Sequence, residues 1–302
     1  MIRAAAERIA PHIRRTPMLR LPAGALAPLA LTLKLESLQL SGSFKARGAF
    51  NSLLALPVPP AGVIAASGGN HGAAVAAAAQ ALGVRAEIFV PEITGPAKRA
   101  RIEGFGARLV VGGASYDEAR EAAEARAAAT GARGVHAYDQ PEVLAGQGTV
   151  ALECGEDAPE CTHWLVAVGG GGLAGGMAQF WGGGSATRLV AVEPEGCPCL
   201  HTALAAGRPV PTRVGGLAAD SLGARQVGTL GFAALVAHGA ESVLVTDAAI
   251  AEARRAIWDA CRILVEPGGA AALAALRSRA WVAPAGARVG VLVCGANTDA
   301  TV

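Results

Sequence analysis

Ser41-Gly42-Ser43-Phe44-Lys45-Ala46-Arg47-Gly48-Ala49 follows a strand-like apolar run, Leu29 to Leu35, and opens a segment of helical spacing. In an open α/β sheet, the turn that leaves the C-terminal end of a strand and enters a helix is where ligands bind. Ser43 is the expected cap of the helix, which leaves Lys45 in its first turn, where free backbone amides favour an anion. An amine beside an anion-binding turn suits an aldehyde cofactor that carries a phosphate. Taken alone, this segment reads more readily as a surface lysine at a helix start. Lysine is scarce, however: Lys34, Lys45 and Lys98 are the candidates for any amine chemistry.

Three further strand-to-loop segments share this design. Ser67-Gly68-Gly69-Asn70-His71-Gly72 follows Val63 to Ala66, and its glycines let backbone approach a ligand ahead of a helix N-terminus. Gly169-Gly170-Gly171-Gly172-Leu173 follows Trp164 to Val168 and offers successive N–H groups to a phosphate. Gly170, Gly172 and Gly175 also satisfy G-x-G-x-x-G, with Glu193 placed as a ribose-binding acid, so a nucleotide-binding oxidoreductase is a competing reading. The run Val291 to Val293 delivers Cys294 and then a glycine turn. Taken alone, Cys294 reads as a small buried apolar residue.

Apolar runs alternating with alanine-rich helical segments predict an α/β fold of two open domains with mostly parallel sheets. Strands are expected at 29–35, 62–66, 86–90, 108–111, 163–168, 188–192, 242–245 and 288–293, with helices at 72–82, 115–130, 247–263 and 270–279. The run Pro57-Val58-Pro59-Pro60-Ala61 marks a linker, since proline neither continues a helix nor pairs in a central strand. A second boundary near Tyr138 to Pro141 divides the chain into a large cofactor-binding domain, 1–61 with 139–302, and a small substrate-closing domain, 62–138.

Composition excludes several functions. The 26 basic and 24 acidic residues are dispersed, without the like-charged run that tracks nucleic acid or an anionic membrane. Residues 1–15 lack the apolar core of a secretory signal, and no stretch is long and apolar enough to span a bilayer. The six cysteines are expected to be reduced thiols of a cytoplasmic protein. Cys197, Cys199 and His201 lack the spacing of a structural zinc site, and no metal is expected.

In chain order these segments resemble the β-family, or fold type II, of pyridoxal-phosphate enzymes, in the branch of serine/threonine dehydratases and serine racemases. Arg14-Arg15-Thr16-Pro17, Gly146-Gln147-Gly148-Thr149 and Glu266-Pro267 extend the resemblance over nearly the whole chain. The resemblance implies that Lys45, preceded by Phe44, carries pyridoxal 5'-phosphate, and that Asn70 contacts its ring hydroxyl. It further implies that Ser67, Gly68, Gly69, Asn70 and His71 hold the substrate carboxylate. By the same match Gly169, Gly170, Gly171, Gly172 and Leu173 bind the phosphate, and Cys294 faces the pyridine nitrogen.

Cysteine synthases of this fold look like Ser-x-Lys-Asp-Arg around the lysine, whereas this chain has Ser43-Phe44-Lys45-Ala46-Arg47. In serine racemases a second serine of the substrate loop donates a proton opposite the lysine, and Gly68 stands there instead. The resemblance therefore implies β-elimination of L-threonine and/or L-serine to a 2-oxo acid and ammonia, with Lys45 as the base at Cα. A racemase, or an ammonia-lyase for another hydroxy-amino acid such as 3-hydroxyaspartate, is the alternative on the same scaffold. A homodimer is expected. The segment after Cys294 is too short for the regulatory domain of biosynthetic threonine dehydratases, so isoleucine feedback is not expected.

Overall fold

Runs of Val, Ile and Leu punctuate the alanine-rich chain and become the strands of two separate sheets. The structure is a computed structural model and describes residues 1–298. The strands β1 (Met18–Leu21) and β2 (Leu31–Leu35) begin the larger sheet. The next four, β3 (Val63–Ala66), β4 (Ala86–Val90), β5 (Arg108–Val111) and β6 (Arg133–Gly134), form the smaller one. The chain then returns to the larger sheet with β7 (His163–Ala167), β8 (Arg188–Pro194), β9 (Glu241–Val245) and β10 (Val289–Val293).

The larger sheet runs β1-β2-β10-β7-β8-β9 and the smaller β5-β4-β3-β6. Every pairing is parallel except β1 with β2. All five residues of both β2 and β10 are buried, as expected of strands covered on both faces.

Helices α1 (Ile2–Ile9), α2 (Lys45–Ala55), α3 (Asn70–Ala81), α4 (Pro96–Gly104), α5 (Tyr116–Thr130) and α6 (Pro141–Asp157) occupy the first half. They are followed by α7 (Gly172–Trp181), α8 (Cys199–Ala206), α9 (Ala219–Leu222), α10 (Thr229–His238), α11 (Asp247–Cys261) and α12 (Pro267–Arg277). Ser115 caps α5 through Glu118 N, and Pro267 opens α12 at a position where a missing N–H costs no bond. The expected strands are found within a few residues of their predicted bounds. β1 and β6 were not foreseen, because four residues with a charged member and a pair of residues carry too little alternation to register.

Ser43 does not cap α2: Phe44 is the N-cap residue, and no side chain caps the helix. Ser43 instead pairs with Gly295 as an isolated antiparallel bridge, which draws its backbone away from capping geometry. Phe44 N donates to Cys294 O at 3.1 Å, so the first turn of α2 is tied to the end of β10.

Helix α2 faces two ways. Ala46, Ala49, Phe50 and Leu53 pack with Val63, Ala74, Ile88 and Val90 in the core of the smaller sheet. Arg47 enters a buried ionic cluster with Glu36, Glu153 and Lys34. Its guanidinium donates to both oxygens of Glu36 at 2.7 and 2.8 Å, to both oxygens of Glu153 at 2.7 and 2.9 Å, and to Thr149 Oγ1 at 3.1 Å. All five guanidinium hydrogens are thereby satisfied. Lys34 Nζ joins Glu153 and Thr16 O, so two cations face two carboxylates without solvent.

Candidate active site

Lys45 leaves the first turn of α2 toward the gap between the sheets, two residues from Arg47 but in a different setting. Its Nζ donates to Ala137 O at 2.7 Å and lies 5.2 Å from the Phe44 ring centre. Loss of hydration pulls its pKa down to about 8, against the opposing pull of Cys294 and Glu266. A substantial fraction of this amine is therefore neutral near physiological pH.

The loop Ser67–Gly69 leaves β3 and enters α3, with Gly69 as its N-cap residue. Ser67 Oγ accepts from Gly69 N at 3.2 Å. A Cβ at Gly68 would lie 2.6 Å from both Thr94 Oγ1 and Cγ2, so any side chain there requires Thr94 to move. Asn70 Nδ2 donates to Glu266 Oε1 at 2.6 Å, while Asn70 Oδ1 accepts from Asn297 Nδ2. His71 turns into the protein, where Nε2 meets Val135 O at 2.9 Å and burial depresses its pKa to about 3. It is a neutral donor there, and its side chain does not line the cleft.

That cleft is bordered by Gly68, Gly69 and Asn70 on one side and Asp220, Glu266 and Asn297 on the other. Two polar contacts from α4 cross it, Lys98 to Asp220 and Arg101 to Asn297.

The glycine loop follows β7 and enters α7. Gly171 is left-handed at φ 83°, and a Cβ at Gly172 would lie 2.8 Å from the Tyr138 Cβ. A Cβ at Gly170 would collide with the Tyr138 ring itself. Leu173 is buried in the first turn of α7. Beneath the loop, Cys199 Sγ donates to Gly169 O at 2.9 Å. Glu193 is fully buried, and its oxygens accept Leu200 N and His201 N at 2.7 Å each. It therefore caps α8 and has no free oxygen for a ribose, which removes the support for a nucleotide site.

Cys294 ends β10 and is buried, with Sγ 3.4 Å from Gly268 O. Burial pushes its thiol pKa up, so it stands in the site as a neutral thiol. Two residues of the site were not among the predicted site residues. Tyr138 covers the glycine loop, and Glu266 faces Asn70. For Glu266, a glutamate directly before the helix-opening Pro267 was the available signal.

A phosphate-bearing aldehyde fits this arrangement. A desolvated amine at the head of α2 supplies the nucleophile, and side-chain-free backbone at Gly169–Gly172 opens α7 where its amides favour an anion.

The comparisons agree. The chain is 36% identical to the L-threonine ammonia-lyase of Geobacter sulfurreducens over 99% of its own length and 75% of that protein. Its structure is similar to that of maize serine racemase, with TM-score 0.92, 32% identity and 99% and 93% of the two chains covered. For the processed threonine deaminase isoform 2 of Solanum lycopersicum the values are 0.87, 28%, 99% and 90%. The family described as pyridoxal-phosphate dependent enzyme matches residues 9–295, and the chain belongs to that family.

Proposed function

We propose that the protein is a pyridoxal-phosphate-dependent ammonia-lyase that eliminates the β-hydroxyl of L-threonine and/or L-serine, releasing a 2-oxo acid and ammonia. The observation that carries this reading is one-sided basicity: Lys45 supplies a base, while Gly68, packed against Thr94, stands where an opposing serine would.

When bound, pyridoxal phosphate supplies an electron sink that makes the substrate Cα proton acidic. Lys45 would hold it through Nζ until the substrate amine displaces it, and the freed amine, its pKa lowered by burial, would then take that proton. Asn70 would orient the ring, Cys294 would serve its nitrogen as a neutral thiol, and Gly169–Gly172 with Leu173 would hold the phosphate. Backbone of Ser67–Asn70 and the start of α3 at His71 hold the substrate carboxylate. Residues 62–138 act as a small unit that closes on the large one, a reading supported by the Lys98–Asp220 and Arg101–Asn297 contacts across the cleft.

The protein works as a cytoplasmic homodimer in this reading. Its unpaired cysteines support a reducing compartment, and an apolar groove beside Leu144, Ala178, Leu230 and Ala234 supports pairing of two copies. Sedimentation of the holoenzyme checks the dimer. The function is tested by measuring pyruvate and 2-oxobutyrate from L- and D-serine, L-threonine and 3-hydroxyaspartate, with chiral analysis of residual serine. Accumulation of D-serine faster than 2-oxo acid would replace the lyase by the racemase.

A further inference from the structure

Glu266 occupies the position of a helix cap without acting as one. It is the N-cap residue of α12, yet its carboxylate bonds none of that helix's first amides. Ser221 Oγ takes over this duty and accepts from Gly268 N at 3.0 Å. The buried carboxyl turns into the cleft instead, where Oε1 accepts from Asn70 Nδ2 at 2.6 Å. Gly295 makes room for it, because a Cβ there would meet the same oxygen. Asn70 is left a single amide orientation: Oδ1 accepts from Asn297, so Nδ2 must face Glu266. One Nδ2 hydrogen remains for the oxygen of a cofactor ring.

We propose that Glu266 is a positioning residue of this site: its carboxyl fixes the Asn70 amide, and its charge governs protonation of the Lys45 nitrogen. The inference rests on Lys45 being the cofactor lysine.

The groups that face Glu266 come from every neighbouring element. They are Lys45 on α2, Asn70 on α3, Lys98 and Arg101 on α4, Asp220 on α9 and Cys294 after β10. Burial pushes Glu266 up to about 7; Asp220 adds to the rise, and Asn70, Lys98 and Arg101 oppose it. Lys45 is lowered by burial and raised again by the Glu266 charge. Ionisation of Glu266 therefore favours the protonated form of the Lys45 nitrogen. A carboxamide keeps an oxygen for Asn70 and loses the charge, so Glu266→Gln separates the two duties.

Holoenzyme absorbance followed against pH reads protonation of the Lys45 nitrogen in its link to the cofactor. Wild type is expected to show two inflections, one of them near pH 7. In Glu266→Gln the inflection near 7 vanishes and the remaining midpoint falls by about 0.5 to 1 unit, with cofactor Kd within about threefold. Glu266→Ala, which also frees Asn70, raises cofactor Kd about tenfold.

An unchanged midpoint in Glu266→Gln overturns the inference, as does a single inflection in wild type, a measurement that depends on no variant folding. Equal cofactor Kd in the Gln and Ala variants overturns the Asn70 duty. Failure of the underlying reading looks different: Lys45→Ala would then still hold the cofactor through borohydride treatment.

Discussion

Lys45 and Arg47 are cations two residues apart on α2, and their surroundings make opposite use of burial. Arg47 meets two carboxylates and a hydroxyl with all five N–H groups and is driven further into its charged form. Lys45 meets one carbonyl and is driven toward neutrality. Burial alone therefore does not decide charge; the partners do. Behind the helix they fix the charges, and in front they leave protons free to move. The ionic cluster anchors the helix that carries the labile amine, which suits the proposed role of Lys45 as the base at Cα.

The sharpest way to break this contrast is to remove the labile amine. Lys45→Ala is expected to lower kcat for 2-oxo acid release by about 10³-fold or more while leaving the thermal midpoint nearly unchanged. A loss of stability as large as the loss of rate would mean that Lys45 is structural after all.

Removing the fixed charge should do the reverse. Arg47→Met strands the buried Glu36 carboxylate, leaves Glu153 to Lys34 alone, and is expected to destabilise the protein by about 3–5 kcal/mol, read from denaturant midpoints.

Gly68→Ser is a milder probe of the cleft. It forces Thr94 aside, costs about 1–3 kcal/mol of overpacking, and yields no D-serine unless Thr94→Ala accompanies it. Chiral chromatography distinguishes the single from the double variant.

The two regions should also respond oppositely to pH. Glu36 is held below its ordinary value chiefly by Arg47, against burial, so its stabilising contribution is present above pH 4.5 and fades as pH falls through its lower folded value. Glu266 is raised from 4.5 to about 7, so the folded state binds the extra proton and stability declines as pH rises through that window. Glu266→Gln should flatten the decline and leave the acid limb intact, as calorimetry across pH 4 to 8 would record.

The smallest effect belongs to the exposed bridge: Lys98→Met should change stability by less than about 1 kcal/mol and appear, if anywhere, in KM.

Much of this was legible in the sequence. Strands of consecutive Val, Ile and Leu announce themselves, and the loops at Ser43–Lys45, Ser67–His71, Gly169–Gly172 and Cys294 sit where strand ends place them. What stayed hidden depends on residues distant in sequence. Glu266 gains meaning only beside Asn70, 196 residues away. Gly68 reads only as a missing base until the Thr94 side chain is found packed against it. Glu193 had the right distance from the glycine loop for a ribose acid, but spacing says nothing of the α8 amides that occupy it. Ser43 looked like a cap because local preference cannot foresee a bridge to Gly295.

The position of β10 bears on how the protein is made. Its residues, 289–293, lie between β2 and β7, which do not touch each other in the sheet order. During synthesis the larger sheet therefore waits as two halves until this strand leaves the ribosome, and Phe44 and Ser43 wait for Cys294 and Gly295 to settle the head of α2. A chain interrupted before that point would carry every lysine and the whole glycine loop, yet present no finished pocket to a reactive aldehyde. Cofactor capture is thereby linked to the synthesis of this strand.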